Sequence, residues 1–282
     1  MVDHVITITV LVENTVSREG LMAEHGLSLW IETEHGTILW DTGQSRLLCA
    51  NAQKLGIDLT TTSHIVISHG HYDHTGGILD VLSQAPHAQV SGHPGMFVER
   101  FSCSGASPRL VTAIGIPFPA QFLRQRCPAL TVTSESEEIL PGIFTTGEIP
   151  RKTDFEDTGG HFFLDMACTI PDPVSDDQAL YIQSAHGLIV ILGCAHSGVV
   201  NTINYISKLA SQNEIYAVFG GMHLFRASHK QLEATADAFA RYNVRMIGPC
   251  HCTGLAAVTF LKSRFPDRFM ECSTGSRFTF EM

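Results

Sequence analysis

Four side chains that commonly bind metal ions lie within six residues of the sequence: His69, His71, Asp73 and His74. In an extended segment, residues two apart point the same way, so His69 and His71 can converge on one ion. A tighter turn starting at Tyr72 would direct Asp73 and His74 toward a second ion. Imidazole nitrogen and carboxylate oxygen suit zinc, manganese or iron. The spacing therefore favours a metal site over an ordinary polar turn.

Two later histidines supply the further ligands that a pair of metal ions needs. His196 lies between two glycines just after the apolar run Gly187–Leu192, and His251 follows the apolar run Val244–Ile247 in the same way. Either histidine alone would more often be structural. Since the first cluster needs partners, and a ligand at a strand end is held rigidly, we predict that both bind metal.

Together these residues resemble the metallo-β-lactamase superfamily, whose signature is His-x-His-x-Asp-His after a strand. The resemblance extends from Asp41-Thr42-Gly43 to the last of these histidines. It implies an α/β fold, an αββα sandwich in which two mixed β-sheets pack face to face with helices outside. It also implies two divalent metal ions, Zn²⁺ ahead of Mn²⁺ or Fe²⁺. One ion would be held by His69, His71 and His196, and the other by Asp73, His74 and His251.

One stretch departs from the pattern of the superfamily. Many members carry an aspartate that bridges the two metals, after a strand that lies between the two later histidines. The matching stretch here, Val218–Leu224, contains no carboxylate. His223 lies in this stretch and has three alternatives: an extra ligand, a catalytic or substrate-contacting hydrogen-bond donor, or a packing residue. Without the bridging carboxylate we expect one metal ion to be held loosely.

Residues that flank the predicted ligands have structural alternatives. Asp41 could cap the following helix, but we favour an acceptor that fixes a metal-bound imidazole. Cys194, Cys250 and Cys252 could bind zinc as thiolates. Because neighbours in an extended segment point away from the ligand, we predict that these cysteines are buried and inert.

A narrower resemblance links the chain to one branch of the superfamily, labelled metal-dependent hydrolases. Some of its members are named dihydropterin-ribofuranosylaminobenzene phosphate synthases. The segments that carry this resemblance are Glu24–Ser28, Ile149–Arg151, Asp176–Leu180, Gly193–His196, Gly220–Leu224 and His251–Gly254. It implies substrate contacts for His25, His223, Arg151 and Thr253. Without this resemblance, His25 would be interpreted as a surface or turn residue, and Arg151 with Lys152 as a solvent-exposed pair of charges.

The predicted activity is metal-assisted hydrolysis of an ester, thioester, lactone, amide or phosphoester. Asp73 would take the proton from the nucleophile while serving as a ligand. One alternative is a synthase that condenses a pterin diphosphate with a ribofuranosylaminobenzene phosphate. Another is a non-catalytic sensor that binds a small ligand at the metals.

Composition narrows the partners. The chain has 282 residues with a formal net charge of −10, which argues against a nucleic-acid-binding protein and favours a small-molecule substrate, with a phosphorylated one as an option. No apolar run reaches the ~20 residues needed to cross a bilayer, and the N-terminus does not resemble a secretion signal. We therefore expect a cytoplasmic protein with reduced thiols. The oligomeric state stays open, with a homodimer as one option.

The elements that must position these residues alternate strands with helices in each half. The pattern predicts strands at Val5–Val12, Leu27–Glu32, Thr37–Trp40 and His64–Ser68 in the first half, and helices at 45–55 and 78–83. In the second half it predicts the hairpin Gln178–Leu192, helices at 199–210, 229–240 and 254–261, and a closing strand Arg277–Glu281. We expect a single domain, 1–282, with an insertion or lid-like region at about 94–176.

Overall fold

The computed structural model describes residues 5–105 and 110–282. Within these ranges the strands are β1 (Val5–Val12), β2 (Ser28–Thr33), β3 (Gly36–Trp40), β4 (His64–Val66), β5 (Gln89–Gly92), β6 (Phe101–Ser104), β7 (Leu110–Ala113), β8 (Leu130–Val132), β9 (Glu137–Leu140), β10 (Ile143–Thr145), β11 (Phe162–Phe163), β12 (Ala179–Ser184), β13 (Gly187–Leu192), β14 (Ile215–Gly221), β15 (Met246–Cys250) and β16 (Arg277–Glu281). The α-helices are α1 (Leu47–Leu55), α2 (Tyr72–Thr75), α3 (Ile78–Gln84), α4 (Ala120–Arg124), α5 (Val199–Leu209), α6 (His229–Arg241) and α7 (Leu255–Arg264). Short 3₁₀ turns cover Leu59–Thr61, Pro94–Phe97 and His251–Thr253.

These strands form two large mixed sheets and a small one. The first large sheet has the order β16-β1-β2-β3-β4-β5-β8, and the second has the order β15-β14-β13-β12-β10-β9. In each, a run of parallel strands (β3-β4-β5-β8 and β13-β14-β15) continues an antiparallel meander. The small sheet, β11-β6-β7, lies apart from both.

The two large sheets pack face to face through a shared apolar core. Ile8 and Trp40 of the first sheet are buried in the same cluster as Ile189 and Phe219 of the second. Alternating apolar residues on these strands supply this face, and their neighbours point outward to the helices. The predicted αββα sandwich is confirmed.

The outer faces of the two sheets are covered by helices. Leu48 of α1 and Val81 of α3 are buried against the first sheet. Ile203 of α5, Phe239 of α6 and Leu261 of α7 are buried against the second. The apolar side chains of α5 and α6 lie along one face of each helix, which is why each can bury that face and leave the other to solvent.

The region predicted as an insertion or lid, 94–176, contributes to all three sheets. Its strand β8 extends the first large sheet, β9 and β10 extend the second, and β6, β7 and β11 form the small sheet. Cys103 and Cys168 in this region form a disulfide, so the expectation of reduced thiols is wrong for this pair. Whether the small sheet moves as a lid stays a prediction. Among the described residues no helix is both long and apolar enough to span a membrane.

Candidate metal centre

The predicted ligands gather at one edge of the sandwich, where several strands end. His69 follows β4, His196 follows β13 and His251 follows β15 directly. The carboxyl ends of parallel strands meet at the same edge of a sheet, which brings residues distant in sequence together.

The backbone at this edge adopts left-handed conformations that side-chain-bearing residues rarely take. The φ angle is +56° at Asp41, +55° at Ala195, +46° at His223 and +52° at His251. Each such residue costs on the order of 1–3 kcal/mol and persists only where the surrounding structure enforces it. Four of them around one cluster mark a site whose geometry is selected at the expense of local stability.

His69, His71 and His196 form the inner triad of this cluster. Their ring centroids lie 4.5 Å (His69–His71), 4.8 Å (His69–His196) and 5.0 Å (His71–His196) apart, and all three residues are buried. Nε2 of His71 and Nε2 of His196 are buried without a hydrogen-bond partner in the described structure. A buried polar atom normally has a partner, so these two nitrogens have the setting expected of atoms that would bind a metal ion.

The inner triad is uncharged. Burial, with the neighbouring His74 and His71 imidazoles, lowers the pKa of His69 well below its usual value, and burial lowers the pKa of His71 to about 3. Burial and the facing His223 also lower the pKa of His196. Neutral imidazole is the form that binds a metal ion.

Asp73, His74 and His251 form the outer triad. Nε2 of His74 lies 3.2 Å from Nε2 of His251, and Oδ2 of Asp73 lies 3.4 Å from His251 Nε2 and 3.7 Å from His74 Nε2. Ligands 2.0–2.1 Å from a tetrahedral zinc ion are about 3.3 Å from one another. The three donor atoms thus have the mutual spacing that one such ion requires.

Electrostatics in the outer triad differ from those of the inner one. Burial alone would lower the pKa of His74, but the carboxylates of Asp41 and Asp73 outweigh it and raise that pKa. Burial alone would raise the pKa of Asp73, but His74 and hydrogen bonds from His25 and His251 lower it well below its usual value. The carboxylate of Asp73 is therefore ionised and free of a proton that would compete with a metal ion.

Asp41 makes the contact that the sequence suggested. Its Oδ2 lies 2.7 Å from Nδ1 of His74, and its carboxylate also accepts hydrogen bonds from the backbone and hydroxyl of Ser68. The carboxylate fixes the Nδ1–H tautomer of His74 and leaves Nε2 to face the centre.

Two acceptors that the sequence did not point to do the same for other ligands. Asn14 Oδ1 accepts from Nδ1 of His251 at 2.9 Å, and the backbone carbonyl of Thr158 accepts from Nδ1 of His196 at 2.8 Å. An asparagine after a strand and a backbone carbonyl carry no distinctive signal in the sequence. Only their positions in space reveal these roles.

The residues predicted to contact substrate lie in different settings. His25 is half exposed and its Nε2 lies 3.1 Å from Oδ2 of Asp73, at the solvent edge of the outer triad. The ring of His223 packs against that of His196 at a tilt of 45°, with ring centroids 4.4 Å apart, and both of its ring nitrogens lack a hydrogen-bond partner among the described residues.

Arg151 and Thr253 have internal partners instead. The guanidinium of Arg151 donates to the backbone carbonyls of His196, Pro173 and Val174. The hydroxyl of Thr253 is buried between the Cys250 carbonyl and the Met222 amide. These contacts hold the loops that carry the ligands, so substrate binding by either residue stays a prediction that no contact supports.

Cys194 lies closer to the centre than its place in the sequence suggested. Its sulfur and donor nitrogens of His69 and His196 all lie within 4.8 Å of one another, and the same holds for its sulfur with His74 and His251. Burial raises the pKa of the Cys194 thiol well above its usual value.

Two cavities adjoin the centre. One of about 690 Å³ extends from Asn14 and His251 to Val258, Lys262 and Phe269. A smaller one of about 210 Å³ lies against His223 and is lined by His161, Arg226 and Gln231 among others. The larger volume is in the range of small-molecule binding sites.

The chain is similar in sequence to known proteins. The family model described as the metallo-beta-lactamase superfamily matches residues 22–102. The chain is 30% identical to 7,8-dihydropterin-6-methyl-4-(beta-D-ribofuranosyl)-aminobenzene-5'-phosphate synthase of Methanocaldococcus jannaschii, over 90% of this chain and 89% of that protein. It is 31% identical to an uncharacterized protein of the same organism, MJ0448, over 90% of this chain and 93% of that one.

Among solved structures, Tm1679, described as a metal-dependent hydrolase of the beta-lactamase superfamily, is 29% identical and superimposes with a TM-score of 0.81, covering 98% of this chain and 100% of that one. A diphosphatase from the PhnP family is 14% identical with a TM-score of 0.56, covering 99% and 98% of the two chains, and shares the fold.

Proposed function

The chain belongs to the metallo-β-lactamase superfamily, and on that basis we propose that it is a hydrolase with a dinuclear metal centre at the inner and outer triads. The observation that carries the proposal is the convergence of five imidazoles and one carboxylate, with two buried imidazole nitrogens left without partners. When bound, two divalent ions supply the Lewis acidity that activates water and stabilises developing negative charge.

The protein's own side chains would divide the remaining work. Asp73 is ionised and reaches the solvent edge through His25, so it can accept a proton from the attacking water. His25 would then pass that proton toward solvent. His223, with two unpaired ring nitrogens, can donate a hydrogen bond to the substrate.

The cavities and charges favour a small anionic substrate. The cavity beside His251 combines an apolar wall, including Val258 and Phe269, with the cation of Lys262, which lies 3.6 Å from the carboxylate of Glu271. The smaller cavity beside His223 carries Arg226. An acidic chain in which each of these two cavities carries a cation suits a small metabolite with an acidic group better than a nucleic acid.

The similarity to the M. jannaschii synthase supports a second candidate function, that of a synthase. Such a reaction would condense a pterin diphosphate with a ribofuranosylaminobenzene phosphate and release diphosphate. A pair of divalent ions would favour a departing diphosphate as much as an attacked ester. The same ligands would serve, so the substrates must distinguish the two reactions.

One experiment separates these functions. Protein stripped by a chelator is reloaded with Zn²⁺, Mn²⁺ or Fe²⁺ and assayed on esters, thioesters, lactones and phosphoesters, and separately on the two synthase substrates together. We expect metal-dependent hydrolysis of at least one class, abolished by His251→Ala and retained in His229→Ala, which changes an exposed histidine on α6.

Other outcomes reassign the function. Diphosphate release that requires both synthase substrates would replace hydrolysis by condensation. Stoichiometric metal binding with no turnover in either assay would favour a sensor.

A further inference from the structure

Gly221, the last residue of β14, has no room for a side chain. A Cβ atom on Gly221 would lie 2.5 Å from the carbonyl oxygen of Gly193, 2.6 Å from Sγ of Cys252 and 3.2 Å from Cδ2 of His251. Real Cβ atoms do not approach backbone oxygen so closely. The stretch that lacks a bridging carboxylate therefore also lacks the room for one at this position.

The sulfur of Cys194 occupies a position between the two triads. It lies 3.3 Å from Nε2 of His74 in the outer triad. It also shares one compact group of donor atoms with His69 and His196 of the inner triad and another with His74 and His251 of the outer triad. Among the described residues no other cysteine is grouped with members of both triads.

We propose that Cys194 Sγ is a thiolate ligand shared by the two metal ions, in place of the carboxylate that Gly221 cannot carry. The inference rests on the metal centre of the proposed function but not on its hydrolytic chemistry. On coordination the thiol proton leaves to bulk water and the sulfur forms bonds to the two ions.

Charge balance supports a second anionic ligand. Asp73 is the one anionic side chain among the six predicted ligands, whereas two divalent ions bring four positive charges into a buried site. A thiolate at Cys194 removes one more unit of that charge. Because sulfur is a soft ligand, it also favours zinc or iron over manganese.

Cys252 is the competing thiol. Its sulfur lies 3.6 Å from the carbonyl oxygen of Cys194 and is grouped with Cys194 and His223. It shares no group with His69, His74 or His196. Cys252 therefore serves as the discriminating variant, and Cys49 on α1, which lies outside all of these groups, as a control for thiol number.

X-ray absorption at the zinc edge tests the proposal without any substrate. Protein loaded with two equivalents of Zn²⁺ should show one sulfur per zinc at about 2.3 Å, in addition to nitrogen and oxygen at about 2.0–2.1 Å. We expect this sulfur shell to persist in Cys252→Ser and Cys49→Ser and to vanish in Cys194→Ser, with weaker binding of at least one zinc.

Three results would overturn the proposal. Zinc bound only by nitrogen and oxygen in the unmodified protein excludes a sulfur ligand and leaves the hydrolase proposal standing. Half a sulfur per zinc assigns a terminal ligand rather than a shared one. Loss of the sulfur shell in Cys252→Ser assigns the ligand to Cys252, and this comparison holds even if Cys194→Ser does not fold. Failure to bind any zinc would instead refute the metal centre itself.

Discussion

The inner and outer triads occupy one site but have opposite surroundings. Imidazoles alone form the inner triad, and Phe162 of the small sheet packs on it, with its ring centroid 5.2 Å from both His71 and His196. The outer triad contains a carboxylate, has Asp41 behind it and meets the half-exposed His25 in front.

This difference teaches how one site can separate metal retention from chemistry. The neutral, enclosed imidazoles of the inner triad release no proton when they bind an ion, and they shield that ion from solvent. The outer triad contains the ionised carboxylate of Asp73 and lies beside a cavity and the solvent edge. We expect the inner ion to be held permanently, and the outer ion and Asp73 to take the larger part in the reaction.

The largest effect should follow removal of the Asp73 carboxylate, which is both a ligand and the proton acceptor. Asp73→Ala should lower kcat by roughly 10²–10⁴-fold and reduce bound metal from two ions to one. Steady-state kinetics and elemental analysis measure the two effects. Asp237→Ala, an exposed change on α6, is the control. Loss of both ions would contradict the independence of the two triads.

A smaller effect should follow neutralisation of the carboxylate behind His74. In Asp41→Asn the imidazole loses its acceptor, so the outer ion should bind roughly 10–100-fold more weakly while the affinity of the inner ion stays unchanged. Titration against a chelator of known affinity resolves the two constants. Equal weakening of both ions would show that the triads are coupled through Asp41 and Ser68.

Opposite pH responses should distinguish the two triads in metal-free protein. The pKa of His71 is lowered to about 3, so the unfolded chain takes up the extra proton as pH falls below ~6.5, and His71 destabilises the fold by about 1 kcal/mol at pH 5.5. The pKa of His74 is raised, so its contribution is present below ~6.5 and is lost as pH rises through the folded value.

Urea unfolding at pH 7.5 and 5.5 measures these contributions. His71→Gln should lose less stability on acidification than the unmodified protein, and His74→Gln should lose more. If both variants lost more stability than the unmodified protein on acidification, or both lost less, the electrostatic contrast between the triads would be contradicted.

The smallest effect should follow removal of the His25 side chain at the solvent edge of the outer triad. His25→Ala removes one hydrogen bond to Asp73, worth about 0.5–1.5 kcal/mol, and should lower kcat/KM roughly two- to tenfold with both ions retained. His35→Ala, an exposed histidine in the β2–β3 turn, provides the control. A loss as large as that of Asp73→Ala would show that the reaction cannot proceed without His25, contrary to the small effect expected of a residue at the solvent edge.

The sequence by itself determined the set of predicted ligands, and its resemblance to the metallo-β-lactamase superfamily, not its periodicity, implied the fold class. Apolar runs ending in His-x-His-x-Asp-His, and single histidines after two later runs, depend on local periodicity, which is set by the chain's own geometry. The contact of Asp41 with His74 was also foreseeable, because an acid at the end of β3 lies beside the end of the parallel strand β4.

The tertiary structure alone decided which other groups surround these ligands. Asn14 lies 237 residues from His251, and Cys194 lies 120 residues from His74, so no local pattern connects them. Arg151 and Thr253 were expected at the substrate, yet their donors are taken up by backbone carbonyls. The order of the strands in the sheets sets these contacts. Hydrogen bonds and metal coordination depend on distances of a few ångströms between chain segments, and the separation of two segments in the sequence gives no information about those distances.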